Sequence, residues 1–257
     1  SGCRLVLGTA GLTDPYGLLR ARSAMPSPDA SERLLRAATS ADIVAFDAAP
    51  GYGRAERVLG DVLGGSAPIW TKVVADNVES ALASARSSVV FTRREPLDLL
   101  QWHNWDAATG ETTAFKEAWR ALANSGLARR FGATTYGSEA AVAAARSGLF
   151  DCVQVEWNLL NQSALRGVLN VAASEGVEIA VRIVLLQGVL ADADLPLPSS
   201  LIRLSAARNR VVEVARRHGM LLREFALRAA LSQEGVGYVV LGAQTQAEFE
   251  DLLSIVA

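Results

Sequence analysis

The stretch Phe46-Asp47-Ala48-Ala49-Pro50-Gly51-Tyr52-Gly53 joins the end of a predicted strand to a tight turn. The residues Ile43-Val44-Ala45-Phe46 form a short apolar run of strand-forming types, and the proline and glycines of the turn end that run. This pattern predicts a buried strand with a carboxylate, Asp47, at its carboxyl end and a phenol, Tyr52, in the following loop. Such a carboxylate must be paired or hydrated, because an unpaired buried charge is expensive.

Spacing alone leaves other interpretations of this pair open. Asp47 by itself is equally typical of a helix cap or a turn, and Tyr52 by itself is typical of an aromatic residue at the rim of a cavity. A predicted helix begins at Glu56-Arg57-Val58-Leu59-Gly60 and ends at Gly64-Gly65. The rest of the chain therefore has to show whether partners reach the carboxylate and the phenol.

Length and composition predict one α/β domain over residues 1–257. The chain has 257 residues and 50% of them are apolar, which suits the core of a barrel-type domain. A net charge of −2 gives no electrostatic reason to expect nucleic acid or an anionic membrane as a partner. No membrane-spanning apolar run or signal-peptide pattern is present. Cys3 and Cys152 form neither a disulfide framework nor a metal motif, so we expect a reduced, cytoplasmic protein without a metal.

Strand-like runs alternate with amphipathic helical stretches along the whole chain. The predicted helices include Asp29 to Ser40, with Glu32 three residues after the capping residue Asp29, and Ser163 to Glu175; none is predicted between Trp102 and Thr113. Eight such runs, each followed by a helical pattern, predict a parallel sheet, and in a domain of this length they favour a closed (β/α)8 barrel. No GxGxxG sequence joins a strand to a helix, so an open dinucleotide-binding sheet has no support. The predicted strands are Arg4 to Thr9, Ile43 to Asp47, Pro68 to Val73, Leu97 to Trp102, Arg130 to Thr134, Cys152 to Trp157, Val177 to Ile183 and Gly237 to Leu241.

Rare residue types fall at the carboxyl ends of the first four predicted strands, where a barrel places its chemistry. Thr9 and Asp47 end the first two strands, Lys72 and His103 lie within one residue of the ends of the next two, and the chain contains only two lysines and two histidines. Lys72 alone is more often a solvated side chain, and His103 alone is more often part of a polar loop. Their coincidence on adjacent strands favours a site built from Asp47, Tyr52, Lys72 and His103.

The sequence resembles the aldo-keto reductase family over nearly its whole length, through motifs that occur in the family's order. This resemblance implies a barrel that binds NADPH across its carboxyl face and reduces carbonyl compounds. The matching segments are Leu7-Gly8-Thr9, Phe46-Asp47 through Tyr52-Gly53 with Glu56 and Leu59-Gly60, Thr71-Lys72, Asp98 through His103, Phe131-Gly132, Val153 through Asn158, Gln187-Gly188 and Leu241-Gly242-Ala243.

The family match assigns Asp47, Tyr52, Lys72 and His103 to a catalytic tetrad. Hydride arriving at a carbonyl carbon builds negative charge on the oxygen, and a general acid must neutralise it. A phenol is a poor acid at neutral pH unless a nearby ammonium favours its anion. The resemblance implies that Lys72 supplies the ammonium, that Asp47 holds Lys72, and that His103 orients the carbonyl or shares the proton.

The cofactor side departs from the family pattern. The match assigns the nicotinamide amide to Thr134, Thr135 and Gln154, although many members have Ser-Asn where this chain has two threonines. Arg182 stands where many members have an aromatic that stacks on the nicotinamide; a guanidinium plane can stack too, and an ion pair with Glu156 or Asp47 is the alternative. The other residues expected at the cofactor are Thr9, Gln187, Gly188, Gly242, Gln244 and Glu248.

The choice between NADP(H) and NAD(H) stays open. Members that favour NADPH usually carry a Lys or Arg in the stretch that matches 242–248, and here that stretch has none. Glu248 would repel a phosphate, whereas main-chain amides at the start of the last helix can hold one. Ser205, Arg208 or Arg223 are alternative sources of contacts to the phosphate.

Five aromatic residues are candidates for the wall of an open substrate pocket: Tyr16, Trp102, Trp105, Tyr136 and Trp157. Packing in the core or at the rim is the alternative for each of them, and none identifies the small carbonyl or alcohol substrate. The altered cofactor side also motivates a second interpretation, a non-redox protein of this fold. Such a protein is an acid/base lyase or isomerase, or a regulatory subunit that senses nicotinamide.

Overall fold

The computed structural model describes residues 4–14, 16–18, 26–41 and 43–256. Eight parallel strands form a closed barrel in sequence order, and β8 pairs with β1. The (β/α)8 barrel predicted from the sequence is therefore confirmed. The strands are β1 (Arg4–Gly8), β2 (Ile43–Asp47), β3 (Ile69–Val73), β4 (Leu99–Trp102), β5 (Phe131–Thr135), β6 (Cys152–Glu156), β7 (Glu178–Arg182) and β8 (Val236–Gly242).

Helices surround the barrel and cover the outward faces of the strands. Among the described residues, none of them has the length and apolar composition needed to cross a membrane. They are α1 (Pro28–Ser40), α2 (Ala55–Leu63), α3 (Val78–Thr92), α4 (Ala107–Glu111), α5 (Thr113–Ala123), α6 (Gly137–Arg146), α7 (Val168–Glu175), α8 (Ile202–Arg217), α9 (Leu222–Leu231) and α10 (Gln246–Val256). Short 3₁₀ turns occur at Ser163–Leu165, Leu186–Gly188 and Ser199–Leu201.

Helix boundaries differ from the sequence prediction where capping decides them. Helix α1 begins after Ser27, whose Oγ accepts the N–H of Ala30 at 3.2 Å, and not at Asp29 as the capping pattern predicts. The single helix predicted from Ser163 to Glu175 is divided, because Gly167 has a φ of 79° between the 3₁₀ turn and α7. Helix α4 occupies the loop after β4, where the sequence predicts no helix.

Alternation along the strands gives the barrel an apolar middle and two polar ends. Inward-facing side chains from seven strands form one apolar cluster, and the outward-facing ones pack beneath the helices. The inward cluster contains Val6, Ala45, Trp70, Leu99, Cys152, Ala180, Tyr238 and Val240. Two residues further along β2, β3, β4 and β6, the inward positions are Asp47, Lys72, Gln101 and Gln154.

An ionic cluster closes the opposite, amino-terminal end of the barrel. The Glu178 carboxylate accepts from Arg4 Nη2 at 2.5 Å, from the Tyr238 hydroxyl at 2.9 and 3.0 Å, and from Arg130. The Arg4 guanidinium also lies 4.1 Å from the centroid of the Tyr238 ring. These contacts leave the carboxyl end as the open mouth of the barrel.

Helices α2 and α3 approach so closely that only glycine fits at position 60. A Cβ atom on Gly60 would lie 2.0 Å from the main-chain oxygen of Phe91. The contact is with backbone, so no rotamer change on α3 relieves it. The Glu56-to-Gly60 segment of the sequence motif therefore sets the spacing between the two helices.

We predict that Gly60→Ala lowers the free energy of unfolding by about 3 kcal/mol, because the added methyl group forces α2 away from α3. Urea denaturation followed by circular dichroism measures this. Gly51→Ala is the control, since no atom lies within 4 Å of a Cβ built there. Equal stabilities of the two variants would contradict the packing argument.

Candidate active site

The carboxyl ends of the strands surround a cleft of about 420 Å³. Its floor is made by the inward-facing polar side chains, and its walls by loops that follow β1, β5, β7 and β8. The predicted site residues that line it are Tyr16, Asp47, Tyr52, Lys72, His103, Gln154, Arg182, Gln187, Gly188, Gly242, Gln244 and Glu248, and Tyr136 also lines it.

Asp47 and Lys72 form a buried ion pair at the floor of the cleft. Lys72 Nζ donates to Asp47 Oδ2 at 2.7 Å and to the main-chain oxygen of Ala48 at 2.7 Å. The exposed fractions of the two residues are 1% for Lys72 and 3% for Asp47. The carboxylate predicted at the end of β2 therefore has its partner on the adjacent strand β3.

Two glutamines hold the other oxygen of the Asp47 carboxylate. Gln101 Nε2 donates to Asp47 Oδ1 at 3.1 Å, and Gln154 Nε2 donates to the same atom at 3.2 Å. Gln154 Nε2 also lies 3.3 Å from Gln101 Oε1. Gln101 was not a predicted site residue, although its place two positions before His103 on β4 puts it on the same inward-facing row.

Tyr52 lies in the loop between β2 and α2, beside the lysine. Lys72 Nζ is 4.9 Å from the centroid of the Tyr52 ring. The main chain of Tyr52 is fixed on both sides: its N–H donates to Ala49 O at 3.0 Å, and its oxygen accepts from Ala55 N at 3.0 Å and from Thr13 Oγ1 at 3.3 Å. The turn thus presents the phenol to the cleft from a rigid backbone.

His103 extends the row of β4 into the cleft. Its main-chain N–H donates to Val73 O at 3.0 Å, which aligns the two strand ends. Burial lowers the pKa of His103 to about 4, and the positive charges of Lys72 and Arg182 lower it further against the opposing effect of Asp47. The imidazole is therefore uncharged at pH 7.

The floor of the cleft carries an acceptor with no partner among the described residues. Gln154 Oε1 is buried and accepts no hydrogen bond, while its amide nitrogen is held by Asp47 and Gln101. A carboxamide N–H of a nicotinamide fits this acceptor. Glycines at positions 8 and 11 line the same cleft, where a Cβ would lie 3.2 Å from Val240 and Gln244 respectively. The residues present therefore suit a nicotinamide dinucleotide.

Arg182 is fixed at the end of β7 by the main chain of two neighbouring strands. Its Nη1 donates to Gln154 O at 3.0 Å and its Nη2 donates to Thr135 O at 3.1 Å. The guanidinium lies 4.7 Å from the centroid of the Tyr136 ring. The alternative of an ion pair with Asp47 or Glu156 is not realised: Lys72 holds Asp47, and Glu156 Oε1 accepts from the N–H of Gly137.

The far end of the cleft is bordered by the start of α10 and by a strained turn after β7. Glu248 Oε2 accepts the main-chain N–H of Gln244 at 2.9 Å, and Thr245 Oγ1 accepts that of Glu248 at 3.2 Å. Gln187 and Gly188 have φ values of 54° and 97°. The Glu248 carboxylate therefore already accepts a main-chain N–H at the start of α10. The sequence analysis expects the amides at this position to be able to hold a phosphate.

Three predicted cofactor residues do not reach the cleft. Thr9 Oγ1 donates to Asp47 O at 3.0 Å, Thr134 Oγ1 accepts from Asn104 N at 2.8 Å, and Thr135 Oγ1 is buried without a partner. None of the three is among the residues that line the cleft, and their assignment to the cofactor stays a prediction.

The three residues named as alternative contacts for a cofactor phosphate, which are Ser205, Arg208 and Arg223, do not line the cleft. Arg208 Nη1 donates to Leu195 O at 2.6 Å, and Arg223 pairs with Asp251 at 2.9 Å. Neither arginine lines the cleft, and neither does Ser205.

The three tryptophans predicted for the substrate pocket lie in the core, which corrects that prediction. Trp102 contacts Phe115 and Trp119 edge-on, with centroids 4.9 and 6.1 Å away, and Trp105 and Trp157 are buried as well. Trp102 follows an inward-facing glutamine on β4, so strand alternation directs it outward to α5.

Tyrosines form the aromatic wall of the cleft. Tyr16, Tyr52 and Tyr136 are three of the four tyrosines in the chain, and all three line it. Burial raises the pKa of Tyr16, and proximity to Tyr52 adds to this. The substrate side of the cleft is therefore phenolic.

Solved structures similar to this chain share the barrel. One is a candidate aldo-keto reductase from Pseudomonas aeruginosa, with 22% identity and a TM-score of 0.75 over 100% of this chain and 90% of that chain. Another is the glycerol dehydrogenase from Gluconobacter oxydans, with 20% identity and a TM-score of 0.77 over 100% and 87% of the two chains. Identities this low support a common fold alone.

Sequence comparison decides the family. No protein of curated function matches the chain at a significant level. The model of the aldo/keto reductase family, however, matches residues 4–257. The match includes every strand and every site residue described above, so this chain belongs to the aldo-keto reductase family.

Proposed function

We propose that the protein is an NAD(P)(H)-dependent oxidoreductase that interconverts a carbonyl compound and an alcohol. The observation that carries this proposal is the convergence of Tyr52, the Lys72–Asp47 pair and His103 on one cleft beside the unpartnered oxygen of Gln154. Acid, cation and orienting group lie at one end of the cleft, and an amide acceptor lies next to them. This arrangement suits hydride transfer coupled to proton transfer.

The proton in this reaction comes from Tyr52. Gln154 would hold the amide of a reduced nicotinamide, which when bound would supply the hydride; negative charge would then develop on the carbonyl oxygen of the substrate. Tyr52 donates its hydroxyl proton to that oxygen and is left as a phenolate. The Lys72 ammonium, 4.9 Å from the ring centroid, stabilises the phenolate. Asp47 and its two glutamines keep the ammonium in place.

His103 contributes a neutral imidazole. With a pKa of about 4 its ring is neutral at pH 7 and lacks the acidic second proton of an imidazolium, so we assign the role of the acid to Tyr52. Its ring N–H can instead donate a hydrogen bond to the carbonyl oxygen and orient it toward Tyr52. The division of roles follows from burial first and then from the two cations, Lys72 and Arg182, which together disfavour a positive charge on His103.

We predict that Tyr52→Phe lowers kcat for reduction of a carbonyl panel by about 10²- to 10⁴-fold, because the general acid is lost. Cofactor affinity, followed by quenching of tryptophan fluorescence, stays unchanged. Tyr238→Phe is the control, since that phenol lies at the opposite end of the barrel. Wild-type turnover in Tyr52→Phe rules out the assignment. A folded protein that binds neither NADPH nor NADH, yet needs Tyr52, favours the non-redox alternative.

We predict that the ring of His103 titrates with a midpoint near pH 4 and that its loss of charge is complete well below pH 7. NMR of histidine-labelled protein measures this directly, because the chain has only two histidines and His103→Gln identifies the signal. Since the folded pKa lies below the unfolded value near 6.5, stability contributed by His103 is present above pH 6.5 and is lost as the pH falls toward 4. A midpoint at or above 6.5 contradicts the electrostatic argument.

We predict that Glu248→Gln strengthens binding of NADPH relative to NADH on the order of fivefold, because it removes a negative charge beside the amides that start α10. Fluorescence titration with both cofactors gives the ratio of the two dissociation constants. Glu250→Gln, an exposed residue on the same helix, serves as the control and keeps the wild-type ratio. An unchanged ratio in Glu248→Gln places the 2′-phosphate elsewhere.

A further inference from the structure

Arg182 places a fixed positive charge on the floor of the cleft. The side chain is partly buried, and two main-chain oxygens and the Tyr136 ring hold it. Nothing in the described parts of the chain pairs it with a carboxylate. All the groups that the guanidinium contacts are neutral, so none of them offsets its positive charge toward the cleft.

The guanidinium lies next to the acceptor for the nicotinamide amide. Arg182 Nη1 bonds to the main-chain oxygen of Gln154, and the unpartnered Oε1 belongs to the same residue. A carboxamide that donates to Oε1 brings its ring to the neighbouring strand end, where Arg182 lies. The guanidinium contacts the Tyr136 ring and also lines the cleft, and a guanidinium plane can stack on a flat ring.

The Glu156 carboxylate lies on the neighbouring strand β6, where it accepts the N–H of Gly137, and it does not line the cleft. Lys72 is neutralised by Asp47 at 2.7 Å, and His103 is uncharged at neutral pH. The positive charge of Arg182 acts on its neighbours: beside burial and Lys72 it lowers the pKa of His103, and it opposes the rise that burial causes in the pKa of Tyr16. A ligand at this end of the cleft therefore experiences a net positive field.

We propose that Arg182 makes the cofactor site discriminate between redox states, binding the reduced nicotinamide more tightly than the oxidised one. This inference rests on the proposed function. The oxidised ring carries a positive charge and the reduced ring carries none, so a guanidinium in contact with the ring repels only the oxidised form. In a partly buried cleft, two like charges at contact distance repel strongly enough to change the ratio of affinities by tenfold or more.

The consequence is a preferred direction of reaction. In a mixed pool of cofactor the site fills with the reduced form, so the protein operates as a carbonyl reductase. The same preference promotes release of the oxidised cofactor after turnover. Each tenfold preference for the reduced form raises the two-electron potential of the bound couple by about 30 mV.

Equilibrium binding tests the inference without using activity. The dissociation constants of NADPH, NADP⁺, NADH and NAD⁺ are measured by calorimetry or tryptophan fluorescence for the wild type, Arg182→Gln and Arg182→Lys. The quantity compared is the ratio of dissociation constants, oxidised over reduced, because it cancels contacts common to both forms. Arg217→Gln, on the exposed side of α8, is the control for a general loss of one positive charge.

We expect a ratio of at least about tenfold in the wild type and in Arg217→Gln, since the repulsion is local. Arg182→Gln brings the ratio down by about tenfold, mainly through tighter binding of the oxidised form. Arg182→Lys, which keeps the charge, retains a ratio above that of Arg182→Gln.

A wild-type ratio near one overturns the inference, whether or not the variants fold. So does an equal ratio in the wild type and Arg182→Gln, and in both of these cases the proposed function stands because cofactor binds. If the folded wild type binds none of the four nucleotides, the proposed function fails, and this inference fails with it.

Discussion

The buried ion pair between Lys72 and Asp47 is the interaction on which the cleft depends. Two charges taken out of water gain little net stability, and apolar residues in their place are often as stable or more so. The pair persists here with every strong contact satisfied: one carboxylate oxygen takes the ammonium and the other takes two amides. An ion pair this fully hydrogen-bonded, in a position that gains little net stability, suits the chemistry that we propose for the cleft.

The rest of the barrel allows that pair to exist. Below it, the inward side chains of seven strands form an apolar layer that keeps water from the floor, and the cluster around Glu178 closes the amino-terminal end. Above it, the turn at Tyr52 and the end of β4 at His103 bring a phenol and an imidazole to the same mouth. The apolar layer below strengthens the attraction within the ion pair, and the open mouth above leaves room for a ligand beside it.

The ionisable side chains of the cleft differ in how far their charges are neutralised. Lys72 is compensated, His103 stays neutral, and Arg182 is held by neutral oxygens. Glu248 lies at the other end, where it accepts an amide at the start of α10. A ligand that spans the cleft thus meets the Arg182 cation at one end and the Glu248 carboxylate at the other. In a site with a phosphate-binding arginine, the second end would instead be positively charged.

Local sequence pattern determined the barrel, the order of its strands and the four residues at their ends. This was possible because parallel strands have a period of two, and because their carboxyl ends must converge at one edge. The same alternation along β4 turns Gln101 and His103 inward and Trp102 outward. The burial of Trp102 beneath the helices could therefore have been predicted from the sequence. Capping at Ser27 was equally local, although a competing pattern at Asp29 obscured it.

Only the tertiary structure decided which polar atoms are satisfied. Gln101 and Gln154 meet Asp47 across 54 and 107 residues of chain, and Arg182 reaches Thr135 across 47. Contacts between such distant positions leave no periodic signal, because they depend on the register and closure of the whole barrel. For this reason the sequence could indicate the residue types that meet at the cleft, whereas the unpartnered Oε1 of Gln154 and the fixed guanidinium beside it were evident only in the folded chain.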